Sequence, residues 1–222
     1  MRNASLEPER LQQEEADLWA AWKQQAPNVI PDGLPDAAAY CRAPLRILYL
    51  LKEVNGGENW DLRQYLRDGA RRQTWDVVAR WTEAIFSPDT HIPWASLNRD
   101  EQDNRQRRER YLPAICAMNL KKIPGTHTAN DKELQQAVAQ YQPLLKQQLT
   151  LYQPDLVVCC GTSWAYPQIM EAQPHWRITS RGVPYWLEST GTLVITYAHP
   201  EARVAEHLLH YGLIDAVREL LG

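Results

Sequence analysis

Apolar residues along the 222-residue chain gather in four short runs, and the stretches between them carry helical spacing. Residues 45–51 (LRILYLL), 114–119 (AICAMN), 155–160 (DLVVCC) and 193–198 (LVITYA) are too short for buried helices. Their flanks are rich in Gly, Pro, Asn and Asp, so each run predicts a buried strand. Over residues 6–25, Leu11, Leu18, Trp19 and Trp22 recur at near-helical spacing among Glu and Gln, and Pro27, Pro31, Gly33 and Pro35 then break the chain. Residues 60–85 predict one or two helices with Leu62, Leu66, Val77, Val78 and Trp81 inside. Asp131 predicts the start of a helix running to about Tyr152. Shorter helical stretches begin at Ser163 and Arg203, and a hairpin is expected around Arg181-Gly182. Strands alternating with helices predict an α/β protein with a mainly parallel sheet between two helical layers.

The length favours one domain over residues 1–222, with a helical N-terminal extension (1–35) and a polar insertion (86–112). The charge run at 98–110 within that insertion reads as a solvated helix or loop. Hydrophobic content of 44% and charged content of 23% are those of a soluble globular chain, not a disordered one. No run approaches the roughly 18 apolar residues of a membrane span, and the N-terminus lacks a signal-peptide core. A cytosolic protein with no membrane partner and no obligate protein partner is expected. The net charge of −3 argues against non-specific coating of nucleic acid, but not against one local basic face. Cys41, Cys116, Cys159 and Cys160 contain no CxxC pair and read as reduced thiols, giving neither a zinc nor an iron–sulfur site.

In open parallel sheets, ligands bind outside the carboxyl ends of the strands. Three polar loops should meet there, at 52–60, 119–130 and 199–203. The first, KEVNGGENW, offers Glu53, Asn55 or Glu58 to orient a water, and its glycines allow close backbone approach. It matches neither nucleotide-binding glycine fingerprint. The second starts at Asn119, whose amide has the donors and acceptor needed to read a nucleobase edge, with Lys121, Lys122 and His127 available to phosphate. The third places His199 directly after a strand and before Pro200, where an imidazole can donate to a developing anion.

Together the three clusters resemble the uracil-DNA glycosylase superfamily over about residues 45–205. NLKKIPGTHTANDKELQQAVAQYQPLLKQQLTLYQPDLVVCCG looks like that family's asparagine strand, long helix and following strand, and VITYAHPEARV looks like its histidine motif. The resemblance implies a three-layer α/β/α sandwich around a central four-stranded, mainly parallel sheet. It implies that the target base is flipped from the stack before excision. Asn119 matches the base-reading asparagine, and His199 matches the histidine that stabilises negative charge on the base O2. Ala202 and Arg203 lie where the family inserts its wedge, and Arg203 is also a candidate phosphate contact. Lys52-Glu53-Val54-Asn55-Gly56 departs from the first motif. Glu53 matches the glutamate of the Gly-Glu-Ala-Pro-Gly form, whereas Val54 stands at the water-activating position. Glu53 is the first candidate for that role and Asn55 the second. Trp60 or Tyr65 would stack on the base.

In strict uracil enzymes a tyrosine closes the pocket against C5 substituents; Gly56 stands at that position here. The expectation is a monofunctional DNA glycosylase acting on a C5-modified pyrimidine, with the glucosylated hydroxymethylcytosine of phage DNA as first choice. Such an enzyme requires no metal or organic cofactor. The alternatives are a uracil-repair glycosylase and an inactive DNA-binding member. DNA contacts are expected from Lys121, Lys122, His127 and Arg203, and from a second face carrying Arg63, Arg67, Arg71 and Arg72 against Asp61 and Asp68, a local +2.

Overall fold

A computed structural model describes residues 6–54, 56–71, 73–97, 99–124 and 130–222. Asn55, Arg72 and His127, three of the residues singled out above, lie outside the described residues. In chain order the elements are α1 (Pro8–Gln25), α2 (Ala37–Arg42), β1 (Ile47–Glu53), α3 (Leu62–Arg67), α4 (Thr74–Phe86), α5 (Trp94–Leu97) and α6 (Glu101–Tyr111). After a 3₁₀ turn (Leu112–Ala114) come β2 (Cys116–Lys121), α7 (Asp131–Tyr152), β3 (Leu156–Cys160) and α8 (Ala165–Met170). The chain closes with β4 (Arg177–Ile178), β5 (Pro184–Leu187), β6 (Leu193–Tyr197) and α9 (Glu206–Leu221).

The four apolar runs form the four strands β1, β2, β3 and β6, paired in parallel in the order β2-β1-β3-β6. The sheet is larger than the four strands expected. Among the described residues it has six, because the hairpin expected at Arg181-Gly182 forms β4 and β5, and β5 joins β6 antiparallel. Those two strands are short and half-exposed, so they leave no continuous apolar run in the sequence.

Successive side chains of a strand face opposite sides of a sheet. Leu48, Leu50, Cys116, Met118, Leu120, Val157 and Cys159 accordingly enter one core with α1, α2, α7 and α8. Ile47, Tyr49, Leu51, Ala117, Leu156, Val158 and Cys160 enter a second core with α3, α4 and α9. Helices therefore cover both faces. The N-terminal helix is part of the first core, with Leu11, Leu18, Trp19 and Trp22 buried against α7. The long helix α7 is capped by Asn130, one residue before the expected Asp131; its side chain accepts from the Lys132 amide at 3.0 Å.

Helix α6 has almost no apolar residue, yet it is not simply solvated. Arg108 is buried and bonds Asp76 of α4 and Glu101, and Arg107 reaches Glu83 of α4 at 2.7 Å. Ion pairs replace an apolar face there. Gly212, inside α9, is explained by a close approach. A Cβ at that position would lie 2.5 Å from the Tyr197 hydroxyl, which donates to the Leu209 carbonyl at 2.8 Å. Among the described residues no helix is long and apolar enough to cross a membrane.

Candidate active site

Parallel pairing brings the carboxyl ends of β1, β2, β3 and β6 to one edge. The register sets Glu53 beside Lys121 and Cys160 beside Tyr197. The loops after these residues leave from the same edge, as the sequence reading requires.

His199 stands two residues beyond β6 and is partly buried. The Glu201 backbone N–H donates to His199 Nδ1 at 3.1 Å. An N–H can only donate, so Nδ1 carries a lone pair and the neutral ring holds its proton on Nε2. Burial pushes the imidazole below its ordinary range; Glu201 opposes this, and the positive charge of Lys52 adds to it. The loop is tied down further by the Ala202 N–H to the His199 carbonyl at 2.8 Å, and by a Thr74 hydroxyl on the Glu201 carboxylate.

Lys52, next to last in β1, is half-buried and reaches across the end of β3. The reach is open because residue 161 is glycine. A Cβ there would sit 3.2 Å from Lys52 Cε and 3.9 Å from its Nζ. Gly161 has φ +71°, and its N–H bonds the Tyr197 carbonyl at 2.8 Å, joining β3 to β6 just before His199.

Glu53, the first candidate for orienting water, is engaged. Lys121 Nζ lies 3.2 Å from its carboxylate and also pairs with Glu133 of α7. Those two carboxylates raise the Lys121 ammonium above its ordinary range, against the effect of burial. Lys121 is thus a neutralised bridge between β1, β2 and α7, not a free phosphate contact. Val54 is buried in the second core.

Lys122 does not reach solvent. It was expected to meet phosphate, but its ammonium is completely buried, 2.8 Å from both oxygens of Asp32 and 2.9 Å from the Asn119 carbonyl. The rings of Trp19 and Trp22 flank it at 5.6 and 5.3 Å. Burial pushes Lys122 down, and Asp32 opposes that. Gln148 donates to Asp32 at 2.9 Å and to Tyr152 at 3.1 Å; Tyr152 donates to Glu15 at 2.6 Å, and Arg63 pairs with Glu15 at 3.0 Å. This buried chain links α1 and α7 to the end of β2. Asp32 also accepts from the Asn119 backbone N–H at 2.8 Å and from its side-chain amide at 3.3 Å. Asn119 is therefore a buried residue whose amide is oriented by Asp32.

Trp60 and Tyr65 form an edge-on aromatic pair with centroids 5.8 Å apart. Gly56, at φ +124°, lies against the Trp60 indole; a Cβ there would come within 3.4 Å of Nε1. Tyr65 accepts from the Arg71 N–H at 2.9 Å. Trp60 is half-buried, so one face of this pair belongs to the second core.

The second basic face is weaker than its charge count. Arg63 is held by Asp61 at 2.7 Å and by Glu15, and so is unavailable to DNA. Arg67 is exposed but bonds the Pro35 carbonyl and Gln64. Arg203 is exposed and, among the described residues, makes no ion pair or side-chain hydrogen bond. It neighbours Val204 and, further along, Leu208, both well exposed apolar residues.

Asp32 carries no functional signal in the sequence, where it sits among turn-forming residues as Pro31-Asp32-Gly33. An acidic residue in a turn carries no sign of being buried. Lys52 was visible only as a member of the first loop. A separate recess between α1 and α7, lined by Glu14, Asp17, Gln142, Lys146 and Glu171, lies along the helices instead of at the strand ends. No group of three or more His, Cys, Asp or Glu with metal-binding geometry occurs among the described residues. Comparison with protein-family models and with curated proteins finds no match.

Proposed function

We propose that the chain is a monofunctional DNA glycosylase that flips out a modified pyrimidine and hydrolyses its N-glycosidic bond, leaving an abasic site. The observation that carries this reading is His199. It is neutral and fixed, with no partner on its donor nitrogen among the described residues, at the strand-end edge to which β2 brings the buried Asn119. In the proposed reaction the C1′–N1 bond breaks with its electron pair passing to the base. His199 Nε2–H then donates to the base O2 as negative charge gathers, an effect worth roughly 3 kcal/mol for a well-aimed donor. Water adds to the oxocarbenium-like sugar.

Asn119, oriented by Asp32, would read the base edge. Trp60 and Tyr65 would stack on it, and Gly56 would leave the C5 side open. That open side favours a C5-modified base, glucosylated hydroxymethylcytosine first, over uracil. The finer fold reading, a sandwich like that of uracil-DNA glycosylases, rests on the four-strand parallel part of the sheet, to which β4 and β5 are an antiparallel addition.

The engagement of Glu53 by Lys121 and the burial of Val54 favour a second reading, an inactive member that binds DNA. One experiment separates these readings. The protein is incubated with duplex and single-stranded DNA carrying uracil, hydroxymethylcytosine or glucosylated hydroxymethylcytosine, then with alkali to cut abasic sites. Cutting at the glucosylated base alone supports the proposal, and cutting at uracil alone returns the protein to repair. Binding without any cutting supports the inactive reading.

A further inference from the structure

Lys52 differs from the other lysines of the strand-end edge. Lys121 is held between two carboxylates, and Lys122 is sealed against Asp32. Lys52, half-buried, makes no hydrogen bond or ion pair among the described residues. A cation without a partner in a partly desolvated place is unfavourable unless something else compensates it. Its direction is set by the fold. Residue 161 has no side chain, so the Lys52 stem lies over the end of β3, the strand between β1 and β6, and its charge is felt by His199 in the loop after β6.

We infer that Lys52 and His199 form a two-donor anion site, in which Lys52 supplies the positive charge and His199 a directed hydrogen bond for the departing base. This rests on the glycosylase reading of the same edge. A neutral imidazole alone cannot balance a base leaving as an anion, whereas the pair carries one net positive charge. The two residues also support each other. Burial keeps His199 neutral and its Nδ1 open to accept from Glu201, and the ammonium, by disfavouring a second cation beside it, adds to that. Glu201, on the histidine's own loop, pulls the other way; burial outweighs it, and Lys52 from β1 adds a smaller push in the same direction as burial. No covalent step is assigned to Lys52. The bond broken is C1′–N1, the electron pair stays with the base, and solvent supplies the final proton.

The test uses the full chain with Lys52→Ala, Lys52→Gln and Lys52→Arg. Lys52 has no partner to lose among the described residues, so all three should fold with an unchanged melting temperature. Single-turnover base release is measured on whichever modified DNA the wild type processes, alongside DNA affinity. Lys52→Ala and Lys52→Gln should slow release about 100-fold, the scale of losing one preorganised donor, while the dissociation constant stays within about 3-fold. Lys52→Arg should restore most of the rate. In the alanine variant the acid limb of the pH–rate profile should move to higher pH. The His199 ring, followed by NMR without DNA, should titrate higher as well. Wild-type release with Lys52→Ala unimpaired, or His199 titrating alike in both proteins, overturns the Lys52 inference and leaves the glycosylase reading standing. Absence of release by the wild type from every substrate overturns that reading, and the role of Lys52 with it.

Discussion

The backbone amide of Glu201 donates to Nδ1 of His199 at 3.1 Å, and this single contact fixes which nitrogen of the ring carries the proton. A residue two positions away in the chain sets the tautomer, so the donor cannot be lost to ring flipping without breaking the turn. His199→Ala should lower base release by about 100-fold or more, with DNA affinity nearly unchanged, as expected of a group acting on transition-state charge. Single-turnover kinetics and a binding titration check this. A parallel loss of affinity would instead make His199 a DNA contact.

Arg203 is the exposed cation closest in sequence to that ring, and it is unencumbered among the described residues. Arg203→Ala should weaken DNA binding equally for all sequences and reduce the slope of log K against log salt by about 1. Arg63→Ala should leave that slope unchanged, because its guanidinium is already committed to Asp61 and Glu15. Fluorescence anisotropy at several salt concentrations measures both.

Among the described residues Asp32 is the sole carboxylate bonded to the buried Lys122 ammonium, and it also holds Asn119. Removing one partner of a buried pair leaves the other charge uncompensated. Asp32→Ala should therefore cost about 3–5 kcal/mol in urea denaturation. Asp32→Asn should cost less and, in whatever protein still folds, should loosen Asn119. If Asp32→Ala proved as stable as the wild type, Lys122 would not be charged in the fold.

His210 gives the fold a pH dependence of its own. Burial, together with Arg80, Arg218 and Arg107, pushes this imidazole to about 4, and its Nδ1 has no partner among the described residues. Between the ordinary histidine range near 6.5 and about 4, the unfolded chain takes up a proton that the folded chain refuses. This contribution is fully present above about pH 6.5 and is lost as the pH falls toward 4, by up to about 3 kcal/mol. Urea melts across that interval should show the loss, and His210→Leu should flatten it.

The strands were legible because a buried parallel strand must be apolar on both sides, so LRILYLL and DLVVCC carry the fold openly. The Arg181-Gly182 hairpin was legible from its turn. Its pairing onto the sheet was not, since strands of two and four residues, with only Trp186 buried, leave no period to read. The attachment of α6 was hidden for a different reason. Its buried residues are Arg108 and Asn104, and it is Asp76 and Glu83 of α4, which pair with Arg108 and Arg107, that turn its charge into contact. At the candidate site, His199 and Asn119 were visible as polar residues ending apolar runs. The fates of Lys121 and Lys122 were not: adjacent identical side chains leave the strand end in different directions, one meeting Glu53 and Glu133 and the other Asp32 beneath two tryptophans.

The position of α1 bears on how the chain can be handled. Trp19, Trp22 and Glu15 roof the chamber in which Lys122 meets Asp32, and Leu34 is fastened to Glu15 through its N–H. Expressing the protein from residue 26 onward would not trim a dispensable lead-in. It would unroof an ion pair, flood it with water and free the asparagine strand end, so the first helix acts as the keystone of an edge that lies far from it in sequence.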